Sequence, residues 1–284
     1  MRVAICLAGQ PRCWQRAVDW YRVCFSHYTD AIDVFYHFWN YRTVPKSADF
    51  DNNSLEIVDA NEFVEMNKIY KPKKYEIDES QFNVPNYLQE LTLQVKDNLP
   101  LPFSQIESQS VAHQISFQYY SWMKVAQLKR QYEIENNFEY DVCVHGRSDL
   151  IWKISSKADQ VKEKLMGLTI SNEDIPSKLA RLPKPEPRNV YTVHNTLDFP
   201  YPGVGDVFWY ADSLTFDIAS NFFRGLPYIQ DSMFYTKITP EKAFLYYLKM
   251  MNLVPYSLDP DIIPLTVRDK KYIDTYGLKP YEAA

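Results

Sequence analysis

The chain has 284 residues, a formal net charge of −5, and 46% hydrophobic and 15% aromatic residues. These apolar residues suffice for a sizeable core, which excludes wholesale disorder and a low-complexity or collagenous protein. The acidic balance gives no electrostatic basis for nucleic-acid binding, because that function needs a clustered basic surface.

The cysteines and the hydropathy pattern predict the compartment. Cys6, Cys13, Cys24 and Cys143 form no CxxC pair, and Cys6 and Cys143 lie inside apolar runs. This usage predicts a reducing compartment without a disulfide framework or a zinc site. The apolar run near the N-terminus is too short for a signal peptide, and no stretch approaches the ~18 apolar residues of a membrane span. We therefore expect a soluble, cytoplasmic protein.

The first elements predict a βαβ unit. The continuous apolar run Val3 to Ala8 predicts a buried parallel strand, and Gly9-Gln10-Pro11-Arg12 ends it. Apolar residues then recur every three or four positions from Trp14 to Tyr28, which is the period of a helix. Ala31 to Trp39 predicts the second strand, parallel to the first.

The next segment is less regular. We predict a loop over 41–54, short strands at Leu55 to Ala60 and Tyr75 to Ile77, and a helix between them at Asn61 to Ile69. Residues 78–105 contain several prolines and predict an irregular excursion that could cover a site.

The longest helical pattern covers residues 106–136, where an aromatic stripe predicts a face buried in the core. It leads into a strand at Tyr140 to Val144. Beyond it we predict a charged helix at Ser155 to Met166 and a proline-rich loop or linker over 171–189.

The last third predicts further α/β elements. We expect strands at Asn189 to His194 and Asp206 to Tyr210, helices at Ser213 to Phe223 and Glu241 to Asn252, and an edge strand at Ile262 to Arg268. No internal repeat and no clean linker is present, so the sequence predicts one α/β domain over residues 1–284, with a mixed, mostly parallel sheet flanked by helices.

Polar residues follow the strand at Tyr140 to Val144 directly. Arg147-Ser148-Asp149 places a cation and a carboxylate at a strand end, where open α/β sheets bind ligands. A phosphorylated substrate or a metal ion would suit that pair. The alternative is a solvated turn in which Asp149 caps the next element, since many ion pairs are structural.

Other predicted strand ends carry similar groups. In Gly9-Gln10-Pro11-Arg12 a glycine allows close backbone approach and an arginine can bind phosphate through two bonds, although an ordinary βα turn explains them equally. Trp39, near His37, could stack on a ring or belong to the core. Asp206 precedes an apolar strand, and Glu241 could simply favour a helix N-terminus. Together these residues suggest a nucleotide-diphosphate site with Mg²⁺ or Mn²⁺.

Several enzyme classes lack their motifs here. The sequence contains no GxGxxG, no Walker A loop and no GxSxG, and its five histidines form no i, i+4 pair. A Rossmann dehydrogenase, a P-loop enzyme, an α/β-hydrolase and a zinc-binding helix are therefore disfavoured.

The order of short motifs resembles one family. Val3 through Arg12 resembles the opening of glycosyltransferase-like proteins of marine phages, large viruses and bacteria, which begin with a strand and Ser-Gly-Gln-Pro-Arg; Ala8 replaces the serine here. Further similar segments are Asp33 to Asn40, Tyr70 to Tyr75, Gln118 to Ser121, Tyr140 to Leu150, Gly205 to Phe208 and Pro240-Glu241 with the helix after it. The resemblance runs roughly from Met1 to Asn252.

This resemblance implies a GT-A-like fold and sugar transfer from a nucleotide-activated donor to a glycan or another hydroxyl acceptor. It assigns residues 1–152 to a nucleotide-binding half and 153–284 to an acceptor-side half. The donor residues it implies are Gly9, Gln10, Pro11, Arg12, His37, Trp39, Arg147 and Asp149. Asp206 or Glu241 would orient or deprotonate the acceptor. If the protein is viral, its compartment is the host cytoplasm.

The matched motif departs from the usual GT-A pattern at its first carboxylate. GT-A enzymes usually hold a metal on Asp-x-Asp, whereas these positions read Arg147-Ser148-Asp149. Either Asp149 alone holds Mn²⁺ or Mg²⁺, or Arg147 neutralises the diphosphate directly. Two other functions stay open: a sugar nucleotidyltransferase, for which the loop after the first strand is too short, and a non-catalytic carbohydrate-binding or assembly protein.

Overall fold

The computed structural model describes residues 1–12, 14–25, 27–28, 31–45, 53–79, 105–154, 182–192, 207–229, 240–258 and 262–266. Its strands are β1 (Val3–Gly9), β2 (Ile32–Trp39), β3 (Tyr41–Pro45), β4 (Asn53–Ile57), β5 (Lys74–Asp78), β6 (Val142–Gly146), β7 (Leu150–Ile154), β8 (Asn189–Thr192), β9 (Trp209–Ala211), β10 (Val254–Ser257) and β11 (Ile262–Thr266). Its α-helices are α1 (Ala17–Phe25), α2 (Ala60–Tyr70), α3 (Gln105–Asn136), α4 (Ser213–Ser220), α5 (Phe222–Ile229) and α6 (Pro240–Met250).

The central feature is a seven-stranded sheet in the order β10-β8-β9-β6-β1-β2-β5. Every neighbouring pair is parallel except those made by β9, which runs antiparallel to both β6 and β8. The sheet contains strands of both predicted halves. The prediction of an α/β protein with a mixed, mostly parallel sheet and flanking helices is confirmed.

Helices cover both faces of this sheet. One core contains α3 residues such as Trp122 and Tyr119, which pack with the strand residues Phe35 and Trp209. The other core lies on the opposite face and includes Tyr21 of α1. β1 is apolar at every position from Val3 to Ala8 because successive side chains enter opposite cores.

A buried ionic network joins α3 to α4. The Lys129 ammonium lies 3.0 Å from a Glu133 oxygen, 2.7 Å from Asp217 Oδ1 and 2.6 Å from Ser213 Oγ. Burial alone lowers the pKa of Lys129, but interactions with Cys143, Asp217 and Glu133 outweigh it and the pKa is raised. Burial raises the pKa of Asp217 to about 6, against the opposing effect of Lys129. Lys129 and Glu133 of α3 are buried, and their partners in this network take the place of the water that would otherwise solvate their charges.

Several local predictions were wrong for tertiary reasons. β3 and β4 pair with each other, so part of the predicted loop over 41–54 is a strand and β4 does not belong to the parallel sheet. β7 was not predicted, and it pairs with β11. The single helix expected at Ser213 to Phe223 is two helices, because Asn221 bonds back to Ile218 and ends α4.

Other predictions lie outside the described residues: the charged helix at Ser155 to Met166, residues 80–104 of the excursion, residues 171–181 of the proline-rich loop, and Cys13. The described cysteines, Cys6, Cys24 and Cys143, are buried and form no disulfide with one another. In the part of the chain that the structure describes, no helix combines the length and hydrophobicity of a membrane span.

Candidate functional site

Two turns leave the same edge of the sheet side by side. β1 and β6 are parallel neighbours, with Leu7 opposite Gly146, so the segments Gly9–Arg12 and Arg147–Asp149 follow adjacent carboxyl ends. Gly9 has φ +110°, a conformation that favours glycine. The sequence-predicted residues Gly9, Gln10, Pro11, Arg12, Arg147 and Asp149 are thus brought together at one place.

Ser148 fastens these two turns to each other. Its hydroxyl donates to the Gln10 carbonyl at 2.9 Å and accepts from the Arg12 backbone N–H at 3.0 Å. The side chain is buried, so both bonds are shielded from water. Sequence reasoning assigned Ser148 no role, although its place between two candidate residues at a strand end could have suggested one.

Asp149 lies between two arginines. Arg147 donates from Nε to Oδ1 at 2.8 Å and from Nη2 to Oδ2 at 2.7 Å, which is a bidentate pair. Arg12 places Nη1 3.7 Å from Oδ2 and also donates from Nη2 to the Gln10 side-chain oxygen. The side chain of Asp149 is 1% exposed, against 14% for Arg12 and 22% for Arg147. We call Arg12, Arg147 and Asp149 the arginine cluster.

The geometry corrects one alternative. The alternative of a solvated cap at Asp149 is wrong, because Asp149 is buried and bound to guanidinium groups, and the next element is the strand β7.

Tyr21 of α1 forms a hydrogen bond with the turn that contains Arg147. Its hydroxyl donates to the Arg147 carbonyl at 3.1 Å, and burial raises the pKa of this phenol, so it stays protonated. A Cβ atom at Gly146 would lie 1.9 Å from the Tyr21 hydroxyl oxygen. Glycine at position 146 is therefore what lets the tyrosine reach the backbone of Arg147.

His37 and Trp39 lie in the core beneath α3. His37 is fully buried and Trp39 is 3% exposed. The His37 ring makes edge contacts with Trp39 and Tyr120 at 5.5 and 5.6 Å between centroids. The core interpretation of Trp39 therefore holds, and a direct contact between either side chain and a donor would require it to become accessible.

His37 also belongs to a group of side chains that could ligate a metal. The ligand atoms of His37, Glu76 and Asp78 all lie within 4.8 Å of one another. His37 Nε2 is 3.1 Å from Asp78 Oδ2, and this hydrogen bond lowers the pKa of Asp78 against the opposing effect of burial. The Lys124 ammonium is 2.5 Å from a Glu76 oxygen.

Sequence reasoning missed Glu76 and Asp78. Both lie on β5, and the parallel register sets His37 opposite Glu76 and Trp39 opposite Asp78. Asp78 is the last residue of the strand, so the strand-end argument used elsewhere could have found it.

The two predicted acceptor-side carboxylates have different outcomes. Asp206 lies outside the described residues. Glu241 lies in the first turn of α6 and is partly exposed. Its position also suits the favourable helix N-terminus.

Comparisons with known proteins give a distant structural likeness. No family model matches the sequence, and no curated protein matches it. The crystal structure of mouse xyloside xylosyltransferase 1 in its apo form is similar with a TM-score of 0.36 and 8% identity, over 91% of this chain and 86% of that one. A likeness at this level does not identify a function, so the functional proposal depends on the geometry of the site.

Proposed function

We propose that the protein is a glycosyltransferase, which moves a sugar from a nucleotide-activated donor to a hydroxyl of a glycan or another acceptor. The observation that supports it is the arginine cluster at the joint carboxyl ends of β1 and β6. Ligands of open α/β sheets bind at such edges. The family resemblance of the sequence motifs points in the same direction.

The chemistry of the leaving group explains the arginines. When the sugar leaves a nucleotide donor, negative charge grows on the terminal phosphate of the departing diphosphate. Guanidinium groups already oriented toward that phosphate stabilise the charge without reorganising during the reaction. In this proposal Arg12 and Arg147 bind the diphosphate, while Gly9 and Gln10 allow its close approach to the backbone.

The acceptor needs a base. A carboxylate within hydrogen-bond reach of its hydroxyl would take the proton as the new bond forms. Asp206 and Glu241 stay the proposed candidates for this role.

A divalent cation at Asp149 does not fit the observed contacts. Both carboxylate oxygens already accept from Arg147, and Arg12 lies beside one of them. A metal ion there would have to displace a bidentate arginine and face two positive groups. We therefore derive no step through a metal at Asp149.

The His37, Glu76 and Asp78 group suits a divalent cation better. One imidazole and two carboxylates are ligands for Mn²⁺ and similar ions, and both carboxylates are partly exposed. Mg²⁺ would use the carboxylates and water. If the protein holds Mn²⁺ or Mg²⁺, we propose these three residues as its ligands. The ion pair between Lys124 and Glu76 would then break so that Glu76 could bind the metal.

The test is a screen of UDP-, GDP-, CMP- and dTDP-sugars by nucleotide release, combined with thermal shift by the free nucleotides. We expect one nucleotide class to stabilise the fold and its sugar to be hydrolysed or transferred. Arg147→Lys should weaken both the thermal shift and the nucleotide release, since lysine cannot form the bidentate pair with Asp149. Arg42→Lys is the matched control, because Arg42 of β3 makes a similar bidentate pair with Glu62 of α2.

The alternatives give different results. No release and no thermal shift with any of these compounds would refute the proposal. Release of pyrophosphate from a nucleoside triphosphate and a sugar phosphate would indicate a nucleotidyltransferase. Glycan binding without any turnover would indicate a carbohydrate-binding protein.

A further inference from the structure

We infer that Asp149 is a positioning residue, which holds Arg12 and Arg147 as a preformed site for a diphosphate that binds without a metal ion. The identity of the ligand as a nucleotide rests on the proposed function. The anion site itself does not, so the two can fail separately.

The contacts give Asp149 an orienting role. Its two oxygens fix the Nε and Nη2 atoms of Arg147 at 2.8 and 2.7 Å, which sets the plane of that guanidinium. Arg12 is held from two sides, with Nη1 near Asp149 Oδ2 and Nη2 on the Gln10 side chain. Two long side chains that would otherwise sample many rotamers are thus restrained before any ligand arrives.

Burial supports the same role. Asp149 is 1% exposed, whereas Arg147 and Arg12 keep 22% and 14% of their side-chain surface. A ligand arriving from solvent would therefore meet the arginines, with the carboxylate behind them. A metal ligand needs the opposite arrangement, with its oxygens directed toward the ion.

The charges decide between a metal and an anion. Both oxygens of Asp149 face guanidinium nitrogens, so a metal ion there would meet a carboxylate that already binds one guanidinium and has a second beside it. A phosphate arriving from solvent would instead meet the more exposed arginines first. The cluster thereby combines neutralisation of the diphosphate with planar, directed donors, which arginine supplies and a metal ion does not.

Hydrogen bonds also fix the backbone of the two turns that carry the arginines. Ser148 bonds to both Gln10 and Arg12, and Tyr21 bonds to the Arg147 carbonyl. The two arginines therefore project from turns that are tied to each other and to α1, which preserves their separation.

The experiment measures binding of UDP, GDP and inorganic pyrophosphate by calorimetry, once with EDTA and once with Mn²⁺. We expect wild-type affinity to differ by less than about twofold between the two conditions. Asp149→Asn should weaken binding by about tenfold, since the two arginine side chains would then have to be ordered when the ligand binds, at a cost of roughly 2- to 12-fold in affinity each. This loss of affinity is expected even though Asp149→Asn removes a negative charge from the site.

Two variants make the test independent of the folding of Asp149→Asn. Arg147→Lys keeps the charge but loses the bidentate pair, and it should weaken binding by a similar factor. Glu56→Gln, which removes a carboxylate that pairs with Arg42 on the β3–β4 hairpin, should leave binding unchanged. Thermal unfolding of each variant shows whether a loss of affinity accompanies a loss of structure.

The outcomes separate the hypotheses. Affinity that rises more than about tenfold with Mn²⁺ in the wild type, but not in Asp149→Asn, would make Asp149 a metal ligand and overturn the inference. Tighter anion binding by Asp149→Asn would also overturn it, because charge alone would then explain the site. Pyrophosphate binding that depends on Asp149, without binding of any nucleotide, would support the inference and refute the proposed function. Nucleotide binding that Asp149→Asn leaves unchanged would do the reverse.

Discussion

Replacing Gly146 by alanine tests how tightly the site is built against α1. The new Cβ would lie 1.9 Å from the Tyr21 hydroxyl oxygen and 2.3 Å from the ring carbon that bears it. To restore an ordinary contact of 3.4 Å, the hydroxyl must move by about 1.5 Å. The ring is fully buried and stacks on Phe208, so it cannot swing into solvent.

These contacts determine how much Gly146→Ala should reduce the free energy of unfolding. Overpacking a filled core costs about 1–3 kcal/mol, and the lost bond to the Arg147 carbonyl costs about 1 kcal/mol. Alanine returns about 0.5–1 kcal/mol through its smaller loss of backbone entropy in a strand. We expect Gly146→Ala to lower the free energy of unfolding by about 2 kcal/mol. Nucleotide affinity should fall too, since Arg147 loses its backbone anchor.

The assay is urea unfolding of a double-mutant cycle with Tyr21→Leu. In the leucine background the phenol oxygen is absent, so the cost of Gly146→Ala should fall to about 0.5 kcal/mol or less. An equal cost of Gly146→Ala in both backgrounds would refute the reasoning, because the loss would then not come from Tyr21.

Three further predictions concern ion pairs and carboxylates that are buried or partly buried. Lys129→Met should lower the free energy of unfolding by about 3–5 kcal/mol, since it removes the ammonium that pairs with the buried Glu133 and the partly buried Asp217. The exposed control Lys68→Met should change it by about 0–1 kcal/mol, and equal effects in urea unfolding would contradict this. The pKa of Asp217 is raised to about 6, so the native state binds more protons than the unfolded chain between about pH 4 and that value, and stability should fall as pH rises through this window. Asp217→Asn should remove that slope in unfolding measured against pH, and a slope that persists would exclude Asp217 as its source. The pKa of Asp78 is lowered by its bond with His37, so its contribution is complete above about pH 4 and is lost as pH falls through the folded-state value. Asp78→Asn should flatten this acid limb, and an unchanged limb would contradict the assignment.

The sequence predicted the elements whose signal is local. The uninterrupted apolar run of β1 indicates a strand buried on both faces, and the three-to-four spacing after Trp14 indicates α1. Parallel pairing of β1 and β2 follows from the strand–helix–strand order. The strand-end rule then located Gly9 to Arg12 and Arg147 to Asp149 at the same edge.

Other features depend on partners that are far away in the chain. β7 becomes a strand because β11 pairs with it, and the hairpin of β3 and β4 excludes β4 from the main sheet. His37 looked like a ligand contact in the sequence, but α3 buries it and the neighbouring strand supplies Asp78. Periodicity reports which face of a segment is apolar, and it carries no information about which segment covers that face.

The arginine cluster also combines features that the sequence predicts with features that depend on distant partners. The sequence determined that Arg12, Arg147 and Asp149 follow strands, because a strand end is visible where an apolar run stops. Only the tertiary structure decided that Asp149 is the buried partner of both arginines. Asp149 could have faced solvent, a metal or a guanidinium with the same sequence around it. The parallel register of β1 with β6 brings Arg12 to it, and that register is fixed by the packing of two cores on opposite faces of the sheet.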